Sequence, residues 1–577
     1  MRRFGIDLGT TNTCIYCANF SQLKETDDDD YFSLDSVKFQ YENTGDMMTP
    51  PYEDIMPSAI YARQNKYSEN GEYEYFIGKV AINAAKNDNV YEQINTKRLM
   101  CRDDPSKIVD YGLSAQDIAC RLLKGCRYSI IKKYNEKVLR ASKQCITQPA
   151  AFGAFASISI YEAGKEAGFT EIEPQSEPFA ALLSYLYQNL DNAEKAERLL
   201  ERQRKKGGRL LTLVVDIGGG TTDVTIQEIK IEGEMAAKQG SDCYTGYKIN
   251  FINFVRDGNN PVASANQNPA FGGYNFDEEI VANIFQEWDE QYYQKTLTHL
   301  EPQSAHRDDL RSLYGRVKDY KEELSKRRGE FHDIWIIDGV ALETVWTPEK
   351  FYGWTQKLCI SPDNAEENTK TVYGIICDTI KRSGYNADDI DCFFVTGGMS
   401  YYKPVHDMIA DKFKALLDEG ILVFSGSPLY DIAMGAALCN NYFEVNKPDS
   451  TLYDDLMIDD PCGEPVVLVE KNTPLPTKKT LEKFMKIRNP VYVYVDVLRG
   501  HSTKDCNIQR LRRLRKPIPD NTPSGKVTQI GTDVSVEYEI DKHQAMNITL
   551  TVHDPNGEYK IPLLRLIENI DLTKGGK

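Results

Sequence analysis

Two aspartates, Asp7 and Asp216, stand in nearly the same local sequence. The first setting is Phe4-Gly-Ile-Asp7-Leu-Gly9-Thr10-Thr11-Asn12, and the second is Leu213-Val-Val-Asp216-Ile-Gly218-Gly219-Gly220-Thr221-Thr222-Asp223. Each aspartate closes an apolar run and opens a turn of glycine and threonine. Glycine permits a tight turn and close backbone approach, so successive N–H groups can form an anion-binding concavity. Threonine hydroxyls add donors. The carboxylates suit a metal ion or its bound water rather than the phosphate itself. Two such turns facing each other would grip one polyphosphate from both sides. A third apolar run, Ile390-Asp-Cys-Phe-Phe-Val-Thr-Gly397-Gly398, again ends in glycines. Neither the Walker lysine loop nor the GxGxxG dinucleotide fingerprint is present at these sites.

Strands must lead into all three turns, and helices must brace them. A serine N-cap at Ser114 and apolar periodicity predict a helix to Tyr134. A second helix is predicted over Ala180–Leu200 after Glu177-Pro178, ending in a basic, glycine-terminated segment. Leu310–Lys326 reads as a charged amphipathic helix, and Asn364–Ser383 as a helix leading into the third glycine turn. Ala433–Leu438 carries small residues suited to close approach. Thr26–Asp30, in an acidic stretch reaching about residue 54, and the polar stretch 232–270 read as exposed insertions. Glu444–Cys462 is acidic and rich in Pro and Asp, the composition of a connection. Beyond it the pattern has period two: Val466–Val469, Val491–Leu498, Val534–Ile540 and Met546–Val552 are the expected strands of a β-sandwich.

At 577 residues the chain exceeds one core, so several domains are expected. A net charge of −17 disfavours a nucleic-acid partner, although Arg510–Lys516 is locally basic. No apolar run suits a membrane span, and a strand starting by residue 4 leaves no room for a signal peptide. The 13 cysteines are scattered and odd in number, as expected of reduced core thiols in a cytoplasmic protein. Cys14 and Cys17 have redox-motif spacing, but odd separation on a strand points them to opposite faces. The seven histidines make no zinc pattern.

The three turns in this order resemble the actin-like ATPase superfamily. With a β-sandwich following, the chain resembles the DnaK-type heat-shock chaperones. Further segments are similar to that family's motifs: Ile55–Ile60, Thr96–Leu99, Thr147–Ala150, Ser176–Ala181, Phe271–Asp277 and Val469–Lys479. The implied architecture is a two-lobed α/β actin-like ATPase domain over 1–443, a connection over 444–465 and an all-β sandwich over 466–577, without a helical lid.

The resemblance also implies roles. ATP or ADP would bind with Mg²⁺, held through Asp7 and Asp216, and with potassium ions beside it. Gly9, Thr10, Thr11 and Asn12, with Gly218, Gly219, Gly220 and Thr221, would cradle the phosphates. Lys97 would reach the γ-phosphate, Glu177 would orient the attacking water, and Asp223 would support it. Gly272, Gly273, Lys321, Ser325, Gly397 and Gly398 would surround the nucleotide. Tyr401 stands where the family stacks an arginine on adenine, Lys318 where a purine-pocket glutamate is usual, and Ser157 where an arginine couples the ATPase to the connection. Glu173 replaces an arginine that docks J-domain proteins, a charge reversal expected to repel that partner. The family's leucine-rich linker is reduced to Leu452, Leu456, Met457 and Ile458.

The leading expectation is an ATP-dependent, chaperone-like protein that binds unfolded or partner polypeptide, with a nucleotide exchange factor as a further partner and no nucleic acid or membrane. The alternatives are a nucleotide-gated adaptor for one partner, a small-molecule kinase of the same superfamily, and an actin-like filament protein.

Overall fold

The computed structural model describes residues 2–20, 32–40, 53–64, 73–87, 108–110, 112–149, 154–233, 247–252, 271–300, 307–324, 329–361, 371–446, 455–459, 465–470, 473–500, 509–518, 528–540, 545–554, 557–563 and 570–571. The protein is mixed α/β and divides into two compact units. One comprises 1–150, 159–252 and 261–446; the other comprises 447–577 with the short segments 151–158 and 253–260.

The first unit contains two six-stranded sheets built on one plan. In the first sheet, β1 (Arg2–Leu8), β2 (Asn12–Phe20) and β3 (Phe32–Ser36) run antiparallel in succession. A short strand β4 (Ile55–Pro57) also pairs with β2. Strand β5 (Lys143–Gln148) joins β1 in parallel, and β6 (Ile172–Ser176) joins β5 in parallel. In the second sheet, β7 (Leu210–Ile217), β8 (Thr222–Glu232) and β9 (Lys248–Ile252) are likewise antiparallel. Strand β10 (Cys392–Thr396) joins β7 in parallel, and β11 (Leu422–Phe424) joins β10. Leaving aside the short β4 and counting the remaining strands within each sheet, both have the order fifth-fourth-first-second-third. The second adds β12 (Glu444–Asn446) beside β9.

Strand β7 shows why its sequence lacks polar alternation. All eight of its residues are buried. Val214 joins a core with the flanking helices on one face, while Leu213, Val215 and Ile217 join a second core on the other. A strand covered on both faces reads as a continuous apolar run.

The helices combine local start signals with close packing. Helix α1 (Ala115–Tyr134) starts at Ser114, whose hydroxyl accepts from the Asp117 N–H at 3.1 Å while the Asp117 carboxylate accepts from the Ser114 N–H at 2.8 Å. This reciprocal cap stabilises the first turn by about 1 kcal/mol. Helix α2 (Glu177–Leu190) follows β6. The single helix expected over 180–200 is in fact two, because the Asn192 side chain accepts from the Lys195 N–H at 3.1 Å and starts a new helix, Ala193–Lys205. Helices α3 (Gly273–Thr296) and α4 (Arg307–Leu324) pack on a hairpin, Phe331–Ile337 with Val340–Trp346. Helix α5 (Asp431–Leu438) follows β11. Its small residues do bring backbones together, since a Cβ on Gly435 would lie 1.7 Å from the Ala180 carbonyl oxygen on α2. Val372–Ser383 is helical, and 364–370 lies outside the described residues.

Several sequence readings change. Within the acidic stretch read as an exposed insertion, Phe32–Ser36 is strand β3, and the following Val37 and Phe39 are buried. Within 232–270, Lys248–Ile252 is strand β9 with Ile249 and Phe251 in the core. Acidic and Asn-rich flanks hid these short alternations. The connection read over 444–465 also contains structure: β12 belongs to the first unit, and Asp455–Asp459 to the second. Leu456 and Ile458, read as linker leucine substitutes, lie in the second unit's core.

The second unit is a sandwich. One sheet has the order β14 (Pro465–Val469), β13 (Asp455–Asp459), β16 (Tyr492–Gly500), β17 (Gln509–Pro517). The other has β15 (Thr477–Lys486), β18 (Asp533–Ile540), β19 (Ala545–Asp554), β20 (Gly557–Pro562). Val493, Val495 and Val497 from the first share a core with Val534, Val536, Ile548 and Leu550 from the second, as period-two alternation requires. The basic segment Arg510–Lys516 is most of β17, at the end of its sheet. Lysine and arginine on an end strand discourage edge-to-edge pairing. The Arg515 guanidinium sits 3.9 Å from the Tyr492 ring centre.

Candidate functional site

The duplicated plan puts equivalent turns in equivalent places. Asp7 is the penultimate residue of β1 and Asp216 of β7, each one residue before the turn into the next strand. In both sheets the fourth strand supplies a threonine beside that aspartate. The Thr147 hydroxyl donates to Asp7 Oδ1 at 3.2 Å, and Thr396 pairs in register with Asp216.

The two turns press against each other. A Cβ on Gly219 would lie 2.0 Å from Thr11 Oγ1, so the second turn must be glycine where the first turn's threonine meets it. The start of α3 braces the second turn, with the Gly273 N–H donating to the Gly218 carbonyl at 3.0 Å and the Tyr274 N–H to the Gly219 carbonyl at 2.6 Å. The third turn also closes in. Gly397 has φ +84°, and a Cβ there would lie 2.3 Å from Asp216 Oδ1.

Together these elements enclose a cavity of about 720 Å³. Asp7, Gly9, Thr10, Thr11, Asn12, Glu177, Asp216, Gly218, Gly219, Thr221, Gly273, Lys321, Gly397, Gly398 and Tyr401 all line it. Gly220 and Gly272 stand just behind the lining: a Cβ on Gly220 would touch Thr10, and one on Gly272 would touch the Gly220 backbone. Asp223 is buried and pairs in register with Asp216. Lys97 and Ser325 lie outside the described residues, as does the Ser157 side chain.

The sequence reading missed much of one wall. Tyr314, Gly315, Lys318, Lys321 and Glu322 of α4 line the cavity together. Their spacing of one, four, seven and eight residues is one helix face, a signal that was available in the sequence. Tyr274 and Tyr314 lie parallel, with ring centres 5.9 Å apart. Lys321 is tied down within this wall. Its ammonium is 2.6 Å from Asp277 Oδ1 and donates to the Gly273 carbonyl at 2.9 Å, so it fastens α4 to the start of α3. Burial pushes the Asp277 carboxyl above its ordinary pKa, against the pull of Lys321. Tyr401 is 45% exposed, with its hydroxyl donating to the Gly426 carbonyl at 3.2 Å, so its ring is available at the cavity mouth.

Glu177 is the first residue of α2, where the helix dipole favours a carboxylate, yet it is only 2% exposed. No group of three or more histidine, cysteine, aspartate or glutamate side chains arranged to hold a metal occurs among the described residues. The oxygen pair Asp7 and Asp216 fits the mode of Mg²⁺, which is commonly held by one or two carboxylates plus water and substrate phosphate.

Glu173 lies away from this cavity lining. It accepts an ion-paired hydrogen bond from the buried Arg3 guanidinium, and its other oxygen is 3.1 Å from the Lys143 ammonium. Burial alone would raise its pKa, but Arg3 and Lys143 hold it below the ordinary carboxylate value. Cys14 and Cys17 are not joined in a disulfide, and both are buried. In the second unit, Ser535 Oγ is 2.6 Å from His553 Nε2 and donates to Glu482 at 2.6 Å, while His553 Nδ1 is 2.8 Å from Glu558. This has the look of a Ser–His–acid triad. Ser535 is only 2% exposed, however, and also receives the Lys483 N–H, so the cluster stitches β15, β18, β19 and β20 together.

No known protein-family model matches this chain. No helix among the described residues is long and apolar enough to cross a membrane.

Proposed function

We propose that the first unit binds ATP with Mg²⁺ between its duplicated sheets and hydrolyses it slowly, and that the second unit binds polypeptide, in the manner of DnaK-type heat-shock chaperones. The observation that carries this reading is the duplication itself. Two sheets of identical strand order each offer an aspartate and a glycine–threonine turn to one cavity. That plan supports a two-lobed, actin-like ATPase domain.

The chain's own groups divide the work as phosphoryl transfer requires, by positioning and charge stabilisation. N–H and hydroxyl donors of Thr10, Thr11, Asn12, Gly219 and Thr221 hold the phosphates. Asp7 and Asp216 would hold Mg²⁺ and its waters, and the bound ion would neutralise charge on the phosphate oxygens. Glu177 accepts a hydrogen bond from the attacking water and aims it. Asp223, paired in register with Asp216, supports this water positioning, and Tyr401 offers the base an aromatic face.

Turnover of ATP by the purified protein, compared with Glu177→Gln and with a panel of extended peptides, tests the reading. Loss of the orienting carboxylate is expected to slow hydrolysis by about 10²–10⁴-fold, and peptide is expected to raise the wild-type rate. Turnover indifferent to peptide would make the second unit an adaptor. Tight ATP binding without turnover would remove hydrolysis from the account.

A further inference from the structure

Helix α5 starts at Asp431 as helix α2 starts at Glu177, and each follows the fifth strand of its sheet. The two acids are counterparts in the duplicated plan, but their surroundings differ. Glu177 lines the cavity, whereas Asp431 is wholly buried and its neighbour Ile432 takes the lining position. Asp431 Oδ2 accepts from the Thr396 hydroxyl at 2.6 Å. Its Oδ1 accepts from the Ser184 hydroxyl at 3.0 Å, from Gln188 Nε2 at 3.2 Å and from the Ser427 hydroxyl at 3.3 Å.

Those partners belong to separate parts of the site. Thr396 is the last residue before the Gly397–Gly398 turn, which presses on Asp216. Ser184 lies on α2 seven residues after Glu177, on the same helix face and about 10 Å along the axis. A buried carboxylate is costly unless its hydrogen bonds are met, and an apolar residue of similar size would stabilise at least as well. A stability argument therefore does not account for Asp431, but a geometric one does.

We propose that Asp431 is a positioning residue that sets Glu177 against Asp216. It acts on Glu177 through Ser184 and the rigid α2 helix, and on Asp216 through Thr396 and the Gly397 turn. This inference rests on the reading of the cavity as a site of nucleotide hydrolysis. In the duplicated plan, one lobe's helix-start acid meets the water and the other lobe's acid holds the first in register. The hydrogen bonds are charge-assisted and therefore strong and directional. The phosphate-binding turns keep their own contacts, so the role is in rate and not in nucleotide affinity measured without Mg²⁺.

The test is single-turnover hydrolysis with Mg²⁺ and ADP affinity with Mg²⁺ chelated, measured side by side, with folding checked by thermal denaturation. Asp431→Ala is expected to slow hydrolysis about 10²-fold, the cost of a misplacement of about 1 Å. ADP affinity should change less than about threefold, the signature of an interaction that matters only in the transition state. Asp431→Asn should recover most of the rate, because hydroxyl partners can donate or accept. Ser184→Ala and Thr396→Val should each slow hydrolysis, and their combination should be no slower than Asp431→Ala. If Asp431→Ala does not fold, those two milder variants decide: slowed hydrolysis with unchanged affinity supports the role, and unchanged rates overturn it. A folded Asp431→Ala with the wild-type rate overturns it, as does a loss of affinity equal to the loss of rate with no rescue by Asn. A wild type that binds nucleotide but does not hydrolyse it is a different result, and it overturns the reading of the site itself.

Discussion

Adjacent glycines in the third turn should tolerate a methyl group very differently. Gly397 has φ +84° and ψ 152°, a region nearly closed to other residues. Placing alanine there costs about 1–3 kcal/mol in backbone strain. The new Cβ would also lie 2.3 Å from Asp216 Oδ1 and 2.4 Å from the Ile217 carbonyl oxygen. The second of these is backbone, so relief requires the turn to shift, adding about 1–3 kcal/mol of overpacking. Gly397→Ala is therefore expected to destabilise the first unit by roughly 2–6 kcal/mol. Because Asp216 is the group displaced, Mg²⁺-dependent nucleotide affinity should fall with it. At Gly398 the nearest atom is Leu429 Cδ2 at 3.3 Å, the end of a flexible side chain. Gly398→Ala should cost less than about 1 kcal/mol. Urea denaturation and calorimetric titration with Mg²⁺-ADP measure both. Equal behaviour of the two variants, or a Gly397→Ala protein of wild-type stability and affinity, would refute the reasoning.

Three further outcomes are expected from the same geometry. Lys321→Met should destabilise by about 3–5 kcal/mol by leaving Asp277 buried without its cation, and adding Asp277→Leu should restore most of the loss in denaturation curves. Tyr401→Ala should weaken ADP binding by about 1–3 kcal/mol through lost stacking, whereas Tyr401→Phe, which keeps the ring, should stay near wild type in the same titration. Glu173→Gln should cost about 1–3 kcal/mol near neutral pH, a buried-pair penalty reduced because Glu173 is 39% exposed. The folded-state pKa of Glu173 is depressed, so its contribution is present above the unfolded carboxylate value and is lost as pH falls through the folded one. The gap between wild type and Glu173→Gln in urea curves should therefore close on acidification, and a gap that persists or widens would count against this pairing.

The parts of the site that were legible in the sequence are those whose signal is local. Asp7 and Asp216 could be found because the apolar run, the acid and the glycine–threonine turn lie within a dozen residues of each other. Ser114 announced its helix through its own capping chemistry. The α4 wall was only half read: its charged surface suggested an amphipathic helix, but Tyr314, Gly315 and Glu322 were not recognised as sharing a face with Lys318 and Lys321. The Lys321–Asp277 pair joins residues on two helices, and no local pattern predicts it. Asp431 is hidden for the same reason, since its partners Ser184 and Thr396 come from elements that meet only in the folded unit. Strands β3 and β9 were masked by acidic or Asn-rich flanks, where composition outweighed a short alternation. Glu173 was read only for its charge reversal toward a J-domain partner, and its pairing with Arg3, which is 1% exposed, is set by the fold.

The central claim is that two mirrored aspartates serve one metal–nucleotide complex. Calorimetric titration of the full chain with ADP, with Mg²⁺ and with Mg²⁺ chelated, on wild type, Asp7→Asn and Asp216→Asn, tests it most directly. The account predicts one nucleotide per chain, tighter binding with Mg²⁺, and loss of that Mg²⁺ dependence in either variant. Absence of nucleotide binding, or Mg²⁺ dependence that survives both substitutions, would contradict it.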